Sequence, residues 1–138
     1  QKFQLTVANK GITLNSSFPN DLPFVVADIG LIERALENIL QNAARYTPAG
    51  GTITVSLSPK PSSVRVCVSD TGCGIEADDL PYIFDRFYKA NRQDRSGGAG
   101  LGLAITKRII ELNGSTIRAE STPNVGTVIS FELPTAHS

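Results

Sequence analysis

Apolar residues recur at helical spacing between residues 28 and 46: Leu31, Ile32, Ala35, Leu36, Ile39, Leu40 and Ala43. Each residue turns about 100° around a helix axis, so these seven share one face. The spacing predicts a helix over residues 30–46, with Asp28 as its N-cap and Pro48, Gly50 and Gly51 as stop signals. Glu33, Glu37 and Gln41 project away from the apolar face. Asn38, Asn42 and Arg45 fall within about 60° of one another, along one border of it. Elsewhere the period changes to two. Ile12 and Leu14 in residues 10–17, Ile53, Val55 and Leu57 in 52–58, and Val64, Val66 and Val68 in 63–70 alternate with polar residues. Such alternation predicts strands with one buried face, and the last two form a hairpin around a turn at 59–62. Residues 24–27, after a turn at 20–23, and residues 115–121 and 127–133, joined by a turn at 123–126, read as further strands.

Gly97-Gly-Ala-Gly-Leu-Gly102 opens a second predicted helix. It carries Leu101, Leu103, Ala104, Ile105, Ile109, Ile110 and Leu112, and Asn113-Gly114 closes it. Residues 81–84 can form only a short helical turn. Residues 85–98 are polar and charged, with Phe87 and Tyr88 as their few large apolar side chains. A connection that long inside a compact domain is usually a lid or disordered. The elements add up to an α+β, two-layer sandwich: a mixed, mostly antiparallel sheet with helices on one face. The other face must be solvated or meet a partner.

Length and charge narrow the classes. A chain of 138 residues suits one domain and can bury about two-thirds of its unfolded surface, so its core needs no metal or disulfide. Thirteen basic and thirteen acidic side chains cancel, which removes the general electrostatic footprint for nucleic acid. There is no apolar run of bilayer length and no signal-peptide pattern in residues 1–10. A start at Gln1 suggests a piece of a longer protein. Cys67 and Cys73 are isolated thiols with no CxxC or His cluster, which fits a reducing cytosol and offers no zinc site. The lone His137 sits in a polar tail and is expected to take no part in catalysis.

Three stretches carry chemistry. An Asn amide offers oxygen to a hard cation and N–H to a phosphate, and an Arg pairs with phosphate. Asn38, Asn42 and Arg45 fit that use, or the amides simply satisfy backbone at a core boundary. Gly98-Ala-Gly-Leu-Gly102 lies directly before a helix. Glycines admit close approach of a phosphate, and a helix N-terminus adds free N–H groups and positive dipole. With Lys89, Arg92 and Arg95 nearby, the stretch reads as a polyphosphate cradle, or else as a hinge. Asp70 ends a strand before Gly72 and Gly74. As a carboxylate it accepts only, which suits an exocyclic amine such as that of adenine, although Asp-x-Gly is also an ordinary turn. Gly72-x-Gly74-x-x-Ala77 imitates a dinucleotide fingerprint, but Pro81 interrupts the helix that such a fold needs. No Walker A or V-A-I-K and H-R-D set is present.

Taken in order, these stretches resemble the GHKL ATP-binding superfamily and, more narrowly, the catalytic ATP-binding domain of bacterial sensor histidine kinases. Residues 38–47 are similar to its N box, 70–75 to its G1 box, Phe84-Asp-Arg-Phe-Tyr88 to its F box and 98–103 to its G2 box. The resemblance runs over residues 12–134 and implies a Bergerat-type fold binding ATP and Mg²⁺. It implies that Asn42, helped by Asn38, holds the metal, that Arg45 and Lys89 contact phosphate, and that Tyr46 lies against adenine. Asp70 would take the adenine amine through a water shared with Thr127. Gly72, Gly74 and Ile75 would complete the base pocket. Gly98, Gly100, Leu101, Gly102 and Leu103 would close on the phosphates, and Phe84 and Phe87 would anchor a lid at residues 85–98. Ala99 stands where the family commonly has Thr.

Hydrolytic members place a Glu four residues before the magnesium Asn; here that position is Asn38. Glu37 points about 140° away from Asn42. This favours a kinase over the alternatives, a GHKL-type ATPase or an anti-sigma-like serine kinase. The expected partners are a dimerisation domain bearing the phosphoacceptor His, absent from this chain, and a cognate response regulator. Residues 1–10 would be a linker or helix end from that domain, 11–134 the catalytic domain and 135–138 a tail. The piece is expected to be monomeric and cytoplasmic. Its parent would be a homodimer, with an inner-membrane anchor a further expectation.

Overall fold

The computed structural model describes residues 10–17, 28–85 and 101–135. Along the chain come β1 (Thr13–Ser17), α1 (Ile29–Tyr46), β2 (Thr52–Pro59), β3 (Ser63–Asp70), a 3-10 turn at Leu80–Tyr82, α2 (Leu101–Leu112), β4 (Arg118–Thr122) and β5 (Gly126–Pro134). The strands form one sheet in the order β1-β2-β3-β5-β4. β1 runs parallel to β2, and the other three pairings are antiparallel. A parallel pair cannot close through a tight turn, and α1 lies in the crossover between β1 and β2. The sheet is thus mixed and mostly antiparallel, as the sequence predicts.

Register decides what faces the helices. Val55 stands opposite Val68, and Val64, Val66 and Val68 stand opposite Leu133, Phe131 and Ile129. These side chains are buried on the helix side, where Ala35, Ile39 and Ala43 of α1 and Ile109 and Ile110 of α2 join them. The outward row is mostly polar (Thr54, Ser56, Ser58, Arg65, Ser69, Glu132), with Cys67 and Val128 its apolar members, and needs no covering layer. The chain is therefore a two-layer sandwich with a single core between sheet and helices.

The helix ends are closed by named groups. The Asp28 carboxylate accepts from Leu31 N–H at 3.1 Å, and Asp28 N–H donates to Asn113 Oδ1 at 3.0 Å. Gly114 takes φ +78° and donates to Glu111 O, while Ser115 N–H reaches back to Ile110 O at 3.0 Å. That pair of bonds is a Schellman cap. It occupies residues 113–115 in stopping α2, so the ladder starts at Arg118 and not at 115. At the other sheet edge Gly11 turns with φ +77°, and β1 starts at Thr13 and not at residue 10. The strand predicted at 24–27 lies outside the described residues.

Candidate functional site

The start of α1 is bonded to the end of α2 through Asp28 and Asn113, and the helices pack along each other. They therefore run in opposite directions. At about 1.5 Å per residue, Asn38 and Asn42 lie about 15 and 21 Å along α1 from Asp28, and Leu101 lies about 18 Å back along α2 from Asn113. The N-terminus of α2 thus falls level with the two asparagines. Helix geometry leaves its first N–H groups without partners inside the helix, and its positive dipole end falls level with the Asn38–Asn42 border. Both asparagines are half-buried, while Arg45 is exposed in the last turn of α1. Asn38, Arg45 and Tyr46 have partners within the protein. The Asn42 amide has none among the described residues. A half-buried amide oxygen without a partner suits a hard, oxygen-seeking cation such as Mg²⁺.

The second part of the site lies where β3 ends. Asp70 belongs to the inward row of Val64, Val66 and Val68, so its carboxylate is aimed at the helix layer and not at bulk water. Burial pushes its pKa up, and the backbone N–H groups of Gly72 and Thr127 pull it part of the way back. The Gly72 bond measures 2.8 Å. Beyond Asp70 the chain is pinned to α1 by Cys73 N–H donating to Tyr46 O at 3.2 Å. A Cβ on Gly72 would stand 2.4 Å from Tyr46 O, so only glycine allows this approach. Gly74, at φ +73°, presses equally closely on the Thr122 carbonyl. The loop is therefore held between the end of α1 and the β4–β5 hairpin.

The structure brings Asn38, Asn42, Arg45 and Tyr46 together on α1, and Asp70, Gly72, Gly74, Ile75 and Thr127 around one sheet end. Leu101 and Gly102 open α2, as expected. Leu103 is buried in the core, so it supports the α2 start from beneath. Phe84 packs against the core beside buried Ile83. Phe87, Lys89, Gly98 and Gly100, with Arg92, Arg95 and nearly all of the lid, lie outside the described residues. Sequence reasoning missed Ser121. Its hydroxyl accepts from Ile75 N–H at 2.7 Å and contacts Gly126 O at 2.9 Å and Thr127 Oγ1 at 2.8 Å. The available signal was a polar residue at an inward position of β4. A cleft of about 450 Å³, lined by Arg65, Arg118, Ser130 and Glu132 among others, opens at the far end of β3 and β5 from Asp70 and shares no residue with this site.

Comparison with known proteins places the whole chain in a family. Residues 27–137 match the family described as histidine kinase-, DNA gyrase B-, and HSP90-like ATPase. The chain is 37% identical over 126 residues to the adaptive-response sensory kinase SasA of Rippkaea orientalis, covering 91% of this chain and 32% of that protein. It is 37% identical over 134 residues to the non-motile and phage-resistance protein of Caulobacter vibrioides, covering 93% of this chain and 16% of that one. The chain thus spans a third or less of these relatives. The mycobacterial sensor histidine kinase MprB superposes with a TM-score of 0.83 at 28% identity, over 99% of this chain and 93% of that one. The catalytic domain of histidine kinase ThkA superposes with a TM-score of 0.83 at 30% identity, over 97% and 87%. Matched over most of its length by the family model and by these folds, the chain belongs to the histidine kinase-, gyrase B- and HSP90-like ATPase family, as a catalytic domain of the sensor histidine kinase kind.

Proposed function

We propose that this domain binds ATP with Mg²⁺ and hands the γ-phosphate to a histidine on a dimerisation domain of its parent protein. The observation that supports it best is the Asn42 amide, without a partner among the described residues and level with the start of α2, together with the half-buried Asp70 carboxylate at the end of β3. In this reading Asp70 takes the adenine amine, Thr127 stands beside it, and Tyr46 with Gly72, Gly74 and Ile75 shapes the base pocket. Asn42, assisted by Asn38, holds the metal, which when bound neutralises phosphate charge. Arg45, Lys89, Gly98, Gly100 and the first N–H groups of α2 orient the triphosphate, and Phe87 anchors the lid. Phosphoryl transfer needs chiefly position and charge neutralisation, and this arrangement supplies both.

Asn38 occupies the place where hydrolytic members carry a Glu, so no side chain there activates water and the phosphate is kept for a protein acceptor. The parent is a homodimer whose phosphohistidine supplies a response regulator. No helix among the described residues is long and apolar enough to cross a membrane. Supplied with Mg-ATP and the phosphoacceptor segment of its parent, the domain is expected to form acid-labile, base-stable phosphohistidine. Steady ADP release without transferred phosphate, or phosphoserine on a partner, would overturn this.

A further inference from the structure

Ser121 has one hydroxyl proton and two lone pairs, and the structure gives it three partners. Ile75 N–H can only donate, at 2.7 Å, and uses one lone pair. Gly126 O can only accept, at 2.9 Å, and so takes the proton. The remaining lone pair faces Thr127 Oγ1 at 2.8 Å, which must then be the donor. The reverse assignment would turn the Ser121 proton toward Thr127 and leave two oxygens facing each other at 2.9 Å. Thr127 as a residue is only 6% exposed, so its hydroxyl has little access to water as an alternative partner. Its proton is committed to Ser121, and what Thr127 Oγ1 offers elsewhere is lone pairs.

Thr127 stands directly opposite Asp70 in the β3–β5 ladder, on the same inward face. Side chains so paired lie about 5 Å apart at Cβ. The pocket therefore presents two acceptors next to each other, one a carboxylate and one a hydroxyl with a fixed proton. We infer that Ser121, which touches no base itself, is the residue that sets the hydrogen-bond polarity of Thr127 and so selects purines bearing a 6-amino group over those bearing a 6-oxo group. An amino group has two protons to give, directly or through one water, and satisfies both acceptors. A 6-oxo group adds a third acceptor and leaves lone pairs opposed in a half-buried site, which is where such mismatches are expensive. The inference rests on the adenine-pocket reading above.

The test compares ATP with ITP, which share sugar and phosphates and differ at purine position 6 and in the N1 proton that the 6-oxo form carries, so that only the base contacts survive in the ratio of their dissociation constants. The parent chain is expected to prefer ATP. Ser121→Ala frees the Thr127 rotor to donate, and the ATP:ITP preference should shrink by about tenfold, the worth of one such polar contact. Thr127→Val should shrink it similarly, and the double variant no further than Thr127→Val alone. Ser121→Cys keeps the volume, weakens the same bonds and should move the ratio in the same direction, which covers a misfolded alanine variant. An unchanged ratio in the two Ser121 variants, with ATP still bound, would overturn the inference and leave the ATP reading intact. So would additive shifts in the double variant, because Ser121 would then act other than through Thr127. A parent chain that binds neither nucleotide overturns the adenine reading and this inference together.

Discussion

Asp70 sits in a place that suits a ligand better than it suits the fold. Burial raises its pKa, and two backbone N–H groups offset this only in part. The folded chain therefore holds the proton more tightly than the unfolded chain does. Its contribution to stability is fully present below the ordinary Asp pKa and is lost as pH rises through the raised one. Asp70→Asn cannot ionise and escapes that loss. It should melt above the parent at pH 7 and converge with it in acid. The same change should weaken ATP binding by about tenfold, because an amide group that can present N–H replaces an acceptor-only one. Melting curves across pH, paired with calorimetric titration, check both halves, and equal affinities would remove the base from this pocket. Gly72→Ala tests the neighbouring contact. A Cβ 2.4 Å from Tyr46 O has to push loop and helix apart, at about 1–3 kcal/mol of stability in urea unfolding. Asp70 was readable in the sequence because Asp-x-Gly-x-Gly is a local pattern. Ser121 was not, because the residues it joins are 46 positions away in one direction and across a hairpin in the other.

Among the elements, α1 and α2 were the most legible. Seven apolar positions at helical spacing, Asp28 ahead of the first turn and Asn113-Gly114 behind the last are all local signals, and all three act as their chemistry requires. The strands were legible as segments but not at their ends. β4 begins late because residues before it are used to cap α2, a competition that alternation alone does not reveal. The antiparallel course of the two helices was also hidden, since it rests on contacts between residues far apart in sequence, one of them a hydrogen bond that ties the helix ends. Asn113 accepts from Asp28 N–H through Oδ1 and donates to Ile109 O through Nδ2 at 2.9 Å, so a single amide closes both helix ends. Asn113→Ala should therefore cost about 1–2 kcal/mol, more than a surface cap on one helix. It should also loosen the alignment that puts the start of α2 level with Asn42. Urea denaturation gives the first number. A loss of ATP affinity in the still-folded variant gives the second, and unchanged affinity would show that the alignment is fixed elsewhere along the seam.

At the scale of the whole molecule, the site lies between elements that the core already holds together. Ile39 and Ile110 are 1% and 0% exposed, and the sheet beneath them is continuous from β1 to β4. The fold does not need the nucleotide to exist, so ligand and stability should couple by simple mass action. A ligand at 100 times its dissociation constant stabilises a folded state by about 2.7 kcal/mol. For a chain of this size that corresponds to a rise in melting temperature of roughly 10 °C. Mg-ATP should produce such a rise in the parent chain. Chelating the metal should remove most of it, because the Asn42 oxygen then has no cation through which to hold the phosphates. Asn42→Ala should melt within about 1 °C of the parent without ligand, since the amide it removes has no partner among the described residues. It should then respond only weakly to Mg-ATP. The two readings of the asparagine border separate on this experiment. A structural amide predicts a lowered ligand-free melting point with a preserved nucleotide response. A metal-holding amide predicts the reverse, and scanning calorimetry of two proteins with and without Mg-ATP and chelator distinguishes them.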